Sequence, residues 1–144
     1  MRHILPVALL LVLGVMAYVR LAPNDIARWH QVAQVDAPGD LAEQGGFRAV
    51  RRMTADADAV LAAMDRIALA TPRTTRVAGD VAQGMITYRT RSLIWGFPDH
   101  TTVAVQGDLL VIHGRLRFGG SDMGVNRARV QGWLTRLGPL TAPL

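Results

Sequence analysis

A block of polar and charged residues near the carboxyl end of the chain has the residue types needed to bind an anion. Ser121 and Asp122 stand just before a stretch with helical periodicity, where free backbone N–H groups and the helix dipole favour negative charge. An arginine such as Arg127 in the first turn can add a bidentate contact to phosphate or carboxylate. With the charged residues expected nearby, the candidate anion or ion-pair site consists of Arg91, Asp99, Arg117, Ser121, Asp122, Asn126, Arg127 and Arg129.

The same block also has a purely structural interpretation. Ser121 or Asp122 can cap the helix by accepting hydrogen bonds from its first N–H groups. Arg127 can then pair with Asp99 or Asp122 at the surface. Because capping accounts for the serine and the aspartate without any ligand, the sequence favours this interpretation over an anion site.

Arginines also alternate along two of the expected strands. Arg89 and Arg91 lie on one strand and Arg115 and Arg117 on another, and residues two apart on a strand point to the same side. If that side of the sheet is uncovered, the four arginines form a basic patch suited to acidic lipid or glycan. The alternative is a solvated face balanced by acidic neighbours, which the mildly basic composition favours.

Catalytic and metal-binding patterns are weak in this chain. Asp99, His100 and Ser121 have the residue types of a hydrolytic triad, but neighbours on a strand point to opposite faces and there is no nucleophile elbow. Metal-ligand spacing is not found among the four histidines, which are His3, His30, His100 and His113. The sequence therefore predicts no catalytic residue, no metal and no cofactor. An enzyme that uses Asp99, Asp122 and Arg127 is the alternative.

Composition narrows the class of protein. The 144 residues suffice for one domain, and half of them are hydrophobic, which supports a real core. All 16 basic residues are arginine and there is no cysteine, so lysine Schiff bases, thiolate catalysis, disulfides and cysteine-bound zinc are excluded. After residue 22 the chain has 14 arginines against 11 acidic residues without a basic run. Nucleic acid is therefore not an expected partner.

The N-terminus contains an apolar segment of the kind that enters membranes. Residues 4–19 carry no charge and are bracketed by Arg2 and Arg20, a length just below the usual span. The segment is predicted to be a signal anchor in the cell inner membrane, single pass, with the domain facing the periplasm. The alternatives are a signal peptide cleaved near Ala17, which would leave a secreted or periplasmic protein, and a buried core helix.

The spacing of hydrophobic residues along the chain predicts the order of the remaining helices and strands. Residues 23–46, punctuated by proline and glycine, are expected to form a linker or arm, in which Trp29 sits at the membrane interface or packs on the domain. A strand at residues 47–53 and a helix capped by Thr54 or Asp56 and ending before Pro72 come next. Strands are then expected at residues 76–82, 85–93, 100–106 and 109–118. A final helix carries the apolar stripe Val130, Trp133, Leu134 and Leu137.

This order predicts an α+β fold. A single N-terminal transmembrane or signal helix precedes the elements β-α-β-β-β-β-α, with an antiparallel sheet covered by helices on one face. The predicted domains are an anchor or signal segment at 1–22, a linker or arm at 23–46 and the α+β domain at 47–144.

Four sequence blocks carry a resemblance to a known family. They are Arg20 to His30 (RLAPNDIARWH), Tyr88 to Ser92 (YRTRS), Gly96 to Asp99 (GFPD) and Gly119 to Arg129 (GGSDMGVNRAR). Through them the chain resembles the bacterial and plastid family of domains of unknown function DUF1499, most specifically in the last block. The chain departs from the family pattern at Gly114 and Leu116, where relatives tend to have serines, and at His100.

The resemblance implies a small α+β domain that is membrane-associated or exported, without established catalytic residues. Together with the apolar N-terminus, it favours a membrane-tethered, non-catalytic domain of the cell envelope that binds a partner protein or an anionic ligand. A small lipid carrier is a further alternative, which would need a sizeable apolar cavity between the sheet and the final helix.

Overall fold

The computed structural model describes residues 4–144, so Arg2 and His3 lie outside the described residues. An apolar helix is followed by a short helix, six strands and two longer helices. In chain order these are α1 (Ile4–Leu21), α2 (Ile26–Trp29), β1 (Gly39–Glu43), β2 (Gly46–Arg52), α3 (Ala57–Leu69), β3 (Thr74–Asp80), β4 (Met85–Arg91), β5 (Pro98–Gln106), β6 (Leu109–Leu116) and α4 (Val125–Leu137). A short 3₁₀ turn, Gly138–Leu140, follows α4.

The six strands form one antiparallel sheet in the order β1-β2-β6-β5-β4-β3. The tight turn at residues 107–108 joins the two central strands, β5 and β6, in a hairpin in which Gln106 pairs with Leu109. Gly107 adopts a positive φ of 62° there, which glycine tolerates without steric cost. This confirms the α+β fold with an antiparallel sheet, and β1 is a strand in addition to those predicted.

Helices α3 and α4 cover one face of the sheet and enclose the main core. Alternate residues of the inner strands, such as Tyr88 on β4 and Ile112 on β6, point into this core. From α4, Val130, Trp133 and Leu137 pack against them, at the helical spacing read from the sequence. The Tyr88 ring meets Trp133 edge-on, with the ring centroids 5.7 Å apart. Asp56 begins α3, as predicted, by accepting a hydrogen bond from the Asp58 N–H at 3.2 Å.

The arm that precedes the sheet crosses its other face. Trp29 is buried there and stacks on His100, with ring centroids 4.5 Å apart and planes 11° from parallel. The Trp29 carbonyl accepts a hydrogen bond from the Thr102 hydroxyl at 2.6 Å. Val32 and Val35 then pack on a second, smaller core of the sheet. The arm is therefore bound along the sheet, and Trp29 packs on the domain.

Helix α1 projects from the domain. Its 18 residues have a mean hydropathy of 2.3, and by length and composition the helix is apolar enough to cross a membrane. Its residues are almost entirely exposed. Only the last turns contact the domain. Val19 is buried, and Tyr18 meets Phe118 just after β6, with ring centroids 6.4 Å apart. The buried-core-helix alternative for the apolar segment is thus wrong.

Candidate functional site

The polar block after β6 forms a self-contained helix cap. The Asp122 carboxylate accepts hydrogen bonds from the N–H groups of Gly124 and Asn126, at 3.1 and 2.9 Å. The Ser121 hydroxyl accepts one from the Met123 N–H at 3.2 Å. Burial opposes ionisation of Asp122, but these hydrogen bonds outweigh it and lower its pKa. The N–H groups predicted to bind an anion are therefore partly occupied by the chain's own carboxylate.

A buried polar cluster connects β5 to α4 next to this cap. Asn126 is fully buried and donates from its amide nitrogen to Oδ2 of Asp99 at 3.3 Å. Its amide oxygen accepts a hydrogen bond from Arg129 Nη1 at 2.7 Å. Arg129 Nη2 also reaches Oδ2 of Asp99 at 3.5 Å. The three side chains form a closed triangle, which we call the Asp99 cluster.

Burial dominates the electrostatics of the Asp99 cluster. It raises the pKa of Asp99 above its ordinary value, although Arg129 and the Asn126 amide favour the charged carboxylate. Burial likewise lowers the pKa of Arg129, while the charge of Asp99 raises it. The Asp99 carboxyl therefore retains its proton more strongly than a solvated aspartate does.

Close packing explains the glycine at position 114. A Cβ atom on Gly114 would lie 2.8 Å from the Asn126 amide oxygen and 3.2 Å from its Cβ. The backbone of β6 can approach α4 this closely only without a side chain at residue 114. The departure from the family pattern at Gly114 thus lies directly against the Asp99 cluster.

An open, mainly apolar cleft lies beside the Asp99 cluster. Its volume is about 560 Å³, and it is bordered by the end of the sheet and the beginning of α4. Asp99 and Arg129 provide its polar floor, together with the cap residues Ser121 and Asp122. Its apolar wall consists of Trp95, Phe97, Leu116, Phe118, Met123 and Val125. We refer to this space as the Asp99 cleft.

The structure brings five of the eight candidate residues together and places three elsewhere. Asp99, Ser121, Asp122, Asn126 and Arg129 meet at the cleft. Arg127 is exposed and lies over the Phe47 ring, 5.3 Å from its centroid, so Arg129 and not Arg127 approaches Asp99. Arg91 donates to the Gly96 carbonyl at 2.9 Å, and Arg117 donates to the Pro23 carbonyl.

The apolar wall of the cleft is the part that sequence reasoning missed. Trp95 and Phe97 come from the loop between β4 and β5, and Phe118 and Met123 from the segment between β6 and α4. The signal in the sequence was the presence of large apolar residues in two glycine-containing loops, and the structure leaves Met123 92% exposed and Trp95 42% exposed. Among residues 4–144, no group of three His, Asp or Glu side chains could hold a metal ion.

The fold defines the class of the protein, a small α+β domain with an apolar helix at its N-terminal end and an open cleft between the sheet and the final helix. The family described as protein of unknown function (DUF1499) matches residues 21–137, and the chain belongs to this family. The matched segment runs from the last residue of α1 to the last residue of α4. No curated protein matches the chain.

Proposed function

We propose that this protein is a single-pass membrane-anchored binding domain that lies against the bilayer and takes a membrane amphiphile into the Asp99 cleft. The amphiphile has an apolar chain and a polar head able to hydrogen bond. The observation that carries the proposal is the position of the cleft, because its wall residue Phe118 contacts Tyr18 in the last turns of α1. The cleft therefore lies at the level where the helix would leave the bilayer.

The length of α1 keeps this level close to the hydrocarbon. Eighteen helical residues span about 27 Å, slightly less than the roughly 30 Å of hydrocarbon in a bilayer. If α1 crosses the membrane, its last turn cannot stand far out in water. Since the arm is bound along the sheet from Trp29 onward, the domain cannot swing away on a free tether.

The lining of the cleft sets the chemistry of the ligand. Six apolar side chains form the wall, and burial of a ligand's hydrocarbon against them is favourable by about 25 cal/mol per Å². At the floor, Asp99 uses Oδ2 for Asn126 and Arg129. Within the part of the chain that the structure describes, its Oδ1 makes no hydrogen bond, so it is the group able to accept one from a ligand head.

We further propose that α1 anchors the protein in the cell inner membrane with the domain facing the periplasm. Removal of the helix near Ala17 would instead give a secreted or periplasmic domain that retains Tyr18 and Val19, the residues that contact the body. The mass of the mature protein distinguishes the two forms. A mass that includes residues 4–17 supports the anchor, and a mass that begins near Tyr18 contradicts it.

Fluorescence quenching tests the cleft. Trp95 lines the cleft, whereas Trp29 and Trp133 are buried elsewhere. A fatty acid brominated in its chain, added to the full chain in detergent micelles, should quench emission saturably at one molecule per protein. Trp95→Phe should remove the quenchable component. Quenching that rises with fatty acid without saturation would indicate micelle partition and would contradict the proposal.

A matched pair of variants on α4 localises the binding. Val125 is half-exposed at the cleft mouth, and Gln131 is exposed on the same helix outside the cleft. Val125→Phe should weaken saturable binding of the brominated fatty acid at least tenfold by filling the mouth. Gln131→Phe should leave it unchanged. Equal effects of the two substitutions would place the fatty acid outside the cleft.

The raised pKa of Asp99 favours a second candidate, an enzyme that uses this carboxyl as an acid. A carboxyl whose pKa is raised by burial in a cleft is a better proton donor to a bound substrate than a solvated aspartate. Incubation with a monoacylglycerol separates the candidates. Unchanged lipid recovered by mass spectrometry supports the binding domain, whereas hydrolysis that Asp99→Asn abolishes supports the enzyme.

A further inference from the structure

A second pocket, which borders the same β4–β5 loop as the Asp99 cleft, is lined by four arginines. Arg20 comes from the last turn of α1, Arg73 precedes β3, and Arg89 and Arg91 lie on β4. The pocket has a volume of about 340 Å³, and none of its lining residues is acidic. We call it the arginine pocket.

The arginines of this pocket lack acidic partners. Across residues 4–144, none of the four takes part in a salt bridge. Arg73 and Arg91 are held in place by backbone carbonyls, since Arg73 Nε donates to the Arg91 carbonyl at 3.0 Å and Arg91 Nη1 to the Gly96 carbonyl at 2.9 Å. Burial lowers the pKa of Arg91, and so do the charges of Arg89, Arg20 and Arg117. The four arginines thus concentrate positive charge, and a bound anion would reduce the electrostatic repulsion among them.

The residues beside the arginine pocket indicate where such an anion would be bound. Leu93 and Ile94 follow the pocket residue Ser92 and are 73% and 70% exposed, an apolar tip that water solvates poorly. The loop touches the end of α1, because a Cβ atom on Gly96 would lie 3.0 Å from Nε of Arg20. Arginines beside an apolar loop tip and a tryptophan, here Trp95 of the same loop, are typical of a membrane interface.

We propose that the arginine pocket binds the phosphate of an anionic phospholipid headgroup in the leaflet from which α1 emerges. Guanidinium groups suit phosphate because they form bidentate charge-assisted hydrogen bonds. The hydroxyls of Thr75 and Ser92, which also line the pocket, can supply further hydrogen bonds. The pocket and the Asp99 cleft share Ser92, but the four arginines line the pocket and not the cleft, so an amphiphile in the cleft and a headgroup in the pocket can be bound together. The inference rests on the membrane anchor of the proposed function.

Thermal unfolding of the full chain in vesicles of two compositions tests this inference. In an equimolar mixture of phosphatidylcholine and phosphatidylglycerol, the unfolding midpoint should exceed that in phosphatidylcholine alone by about 2–4 °C. This is the shift expected when one arginine contacts an anionic lipid surface. Arg89→Gln should remove most of this difference. Arg48→Gln is the matched control, because Arg48 lies on the same face of the sheet but three strands away from β4, and it should retain the difference.

Two outcomes of these unfolding measurements would contradict the headgroup site. Equal midpoints in the two lipids, or equal loss of the difference in Arg48→Gln and Arg89→Gln, would overturn the proposal. Inorganic phosphate added to the phosphatidylcholine vesicles is the third arm, and protection equal to that from phosphatidylglycerol would overturn the assignment to a lipid. Flotation of the vesicles is measured in parallel. Protein that does not float disproves the anchor, and floating protein without lipid-dependent stability disproves the headgroup site alone.

Discussion

Asn126 holds the Asp99 cluster together, because it is the residue that hydrogen bonds to both charged partners. Its amide nitrogen donates to the carboxylate of Asp99, and its amide oxygen accepts from Arg129. All three side chains are largely or fully removed from water. A buried network of this kind is stable only while each member keeps its partners.

We therefore expect Asn126→Ala to lower the free energy of unfolding by about 2–3 kcal/mol, because it leaves Nη1 of Arg129 and one buried oxygen of Asp99 without their hydrogen-bond partner. Urea unfolding of the full chain in detergent, followed by circular dichroism, measures the change. Gln131→Ala, an exposed position on the same helix, should change it by less than about 0.5 kcal/mol. Similar values for the two variants would show that the Asp99 cluster does not stabilise the fold.

His100 gives the protein a defined dependence on pH. Burial lowers its pKa to about 3, and the charges of Arg117 and Arg115 contribute to the shift. Unfolded His100 takes up a proton near pH 6.5, whereas folded His100 remains neutral until about pH 3. Acid therefore favours the unfolded state through this residue, and the stability that it contributes above pH 6.5 is lost as the pH falls.

The wild-type free energy of unfolding, relative to that of His100→Gln, should accordingly fall by about 1.4 kcal/mol per pH unit between pH 6 and pH 4. Denaturant titrations at several pH values give the difference directly. Other titrating groups, Asp99 among them, are common to both proteins and cancel in the comparison. A difference that is constant with pH would contradict a neutral, buried His100.

The sequence drew attention to the segment before α4, but it favoured Arg127 as the partner of Asp99, and the structure places Arg129 there. Residues 119–129 comprise the loop before α4 and its first five residues, where the cap and the Asp99 cluster lie. Arg127 and Arg129 both follow Asn126, and helical geometry separates them, since residues three apart share a face. The spacing of Asn126 and Arg129 was therefore the usable signal. Which strand residue would face them depends on sheet register, which residue types alone do not give.

At the scale of elements, the arm is the unexpected feature. Residues 23–46 carry proline, glycine and no lasting period, because the arm binds through single side chains such as Trp29 and Val35 and not through a repeating pattern. Strand β1 escaped notice for a related reason. It is an edge strand with four of its five residues exposed, so it lacks the alternation that identifies the buried strands.

Loss of the Trp29 side chain should release the arm. Trp29→Ala removes the stack on His100 and leaves a cavity, and we expect a loss of about 3–5 kcal/mol in the free energy of unfolding. Hydrogen exchange should become faster at residues 23–35 and along β5. Gln34→Ala, an exposed position in the same arm, should exchange like the wild type. Protection of the arm that survives Trp29→Ala would contradict its attachment through this residue.

At the scale of the whole molecule, three features converge on one end of the domain. The last turn of α1, the apolar loop between β4 and β5 and the mouth of the Asp99 cleft all lie there. The sequence predicted the apolar helix and the α+β body as separate parts. It could not predict that the bound arm holds helix α1 in place against the α+β body. That arrangement depends on contacts between residues about 70 positions apart, such as Trp29 and Thr102.

The depth of this end of the domain in a bilayer is the most direct test of the account. Because the chain has no cysteine, Ile94→Cys and Gln83→Cys each provide a single site for a spin label, at opposite ends of β4. In vesicles of the full chain, the label at position 94 should be more accessible to oxygen than to a water-soluble nickel complex, and the label at position 83 should show the reverse. Two labels that are both fully accessible to the nickel complex would contradict a domain that lies against the membrane.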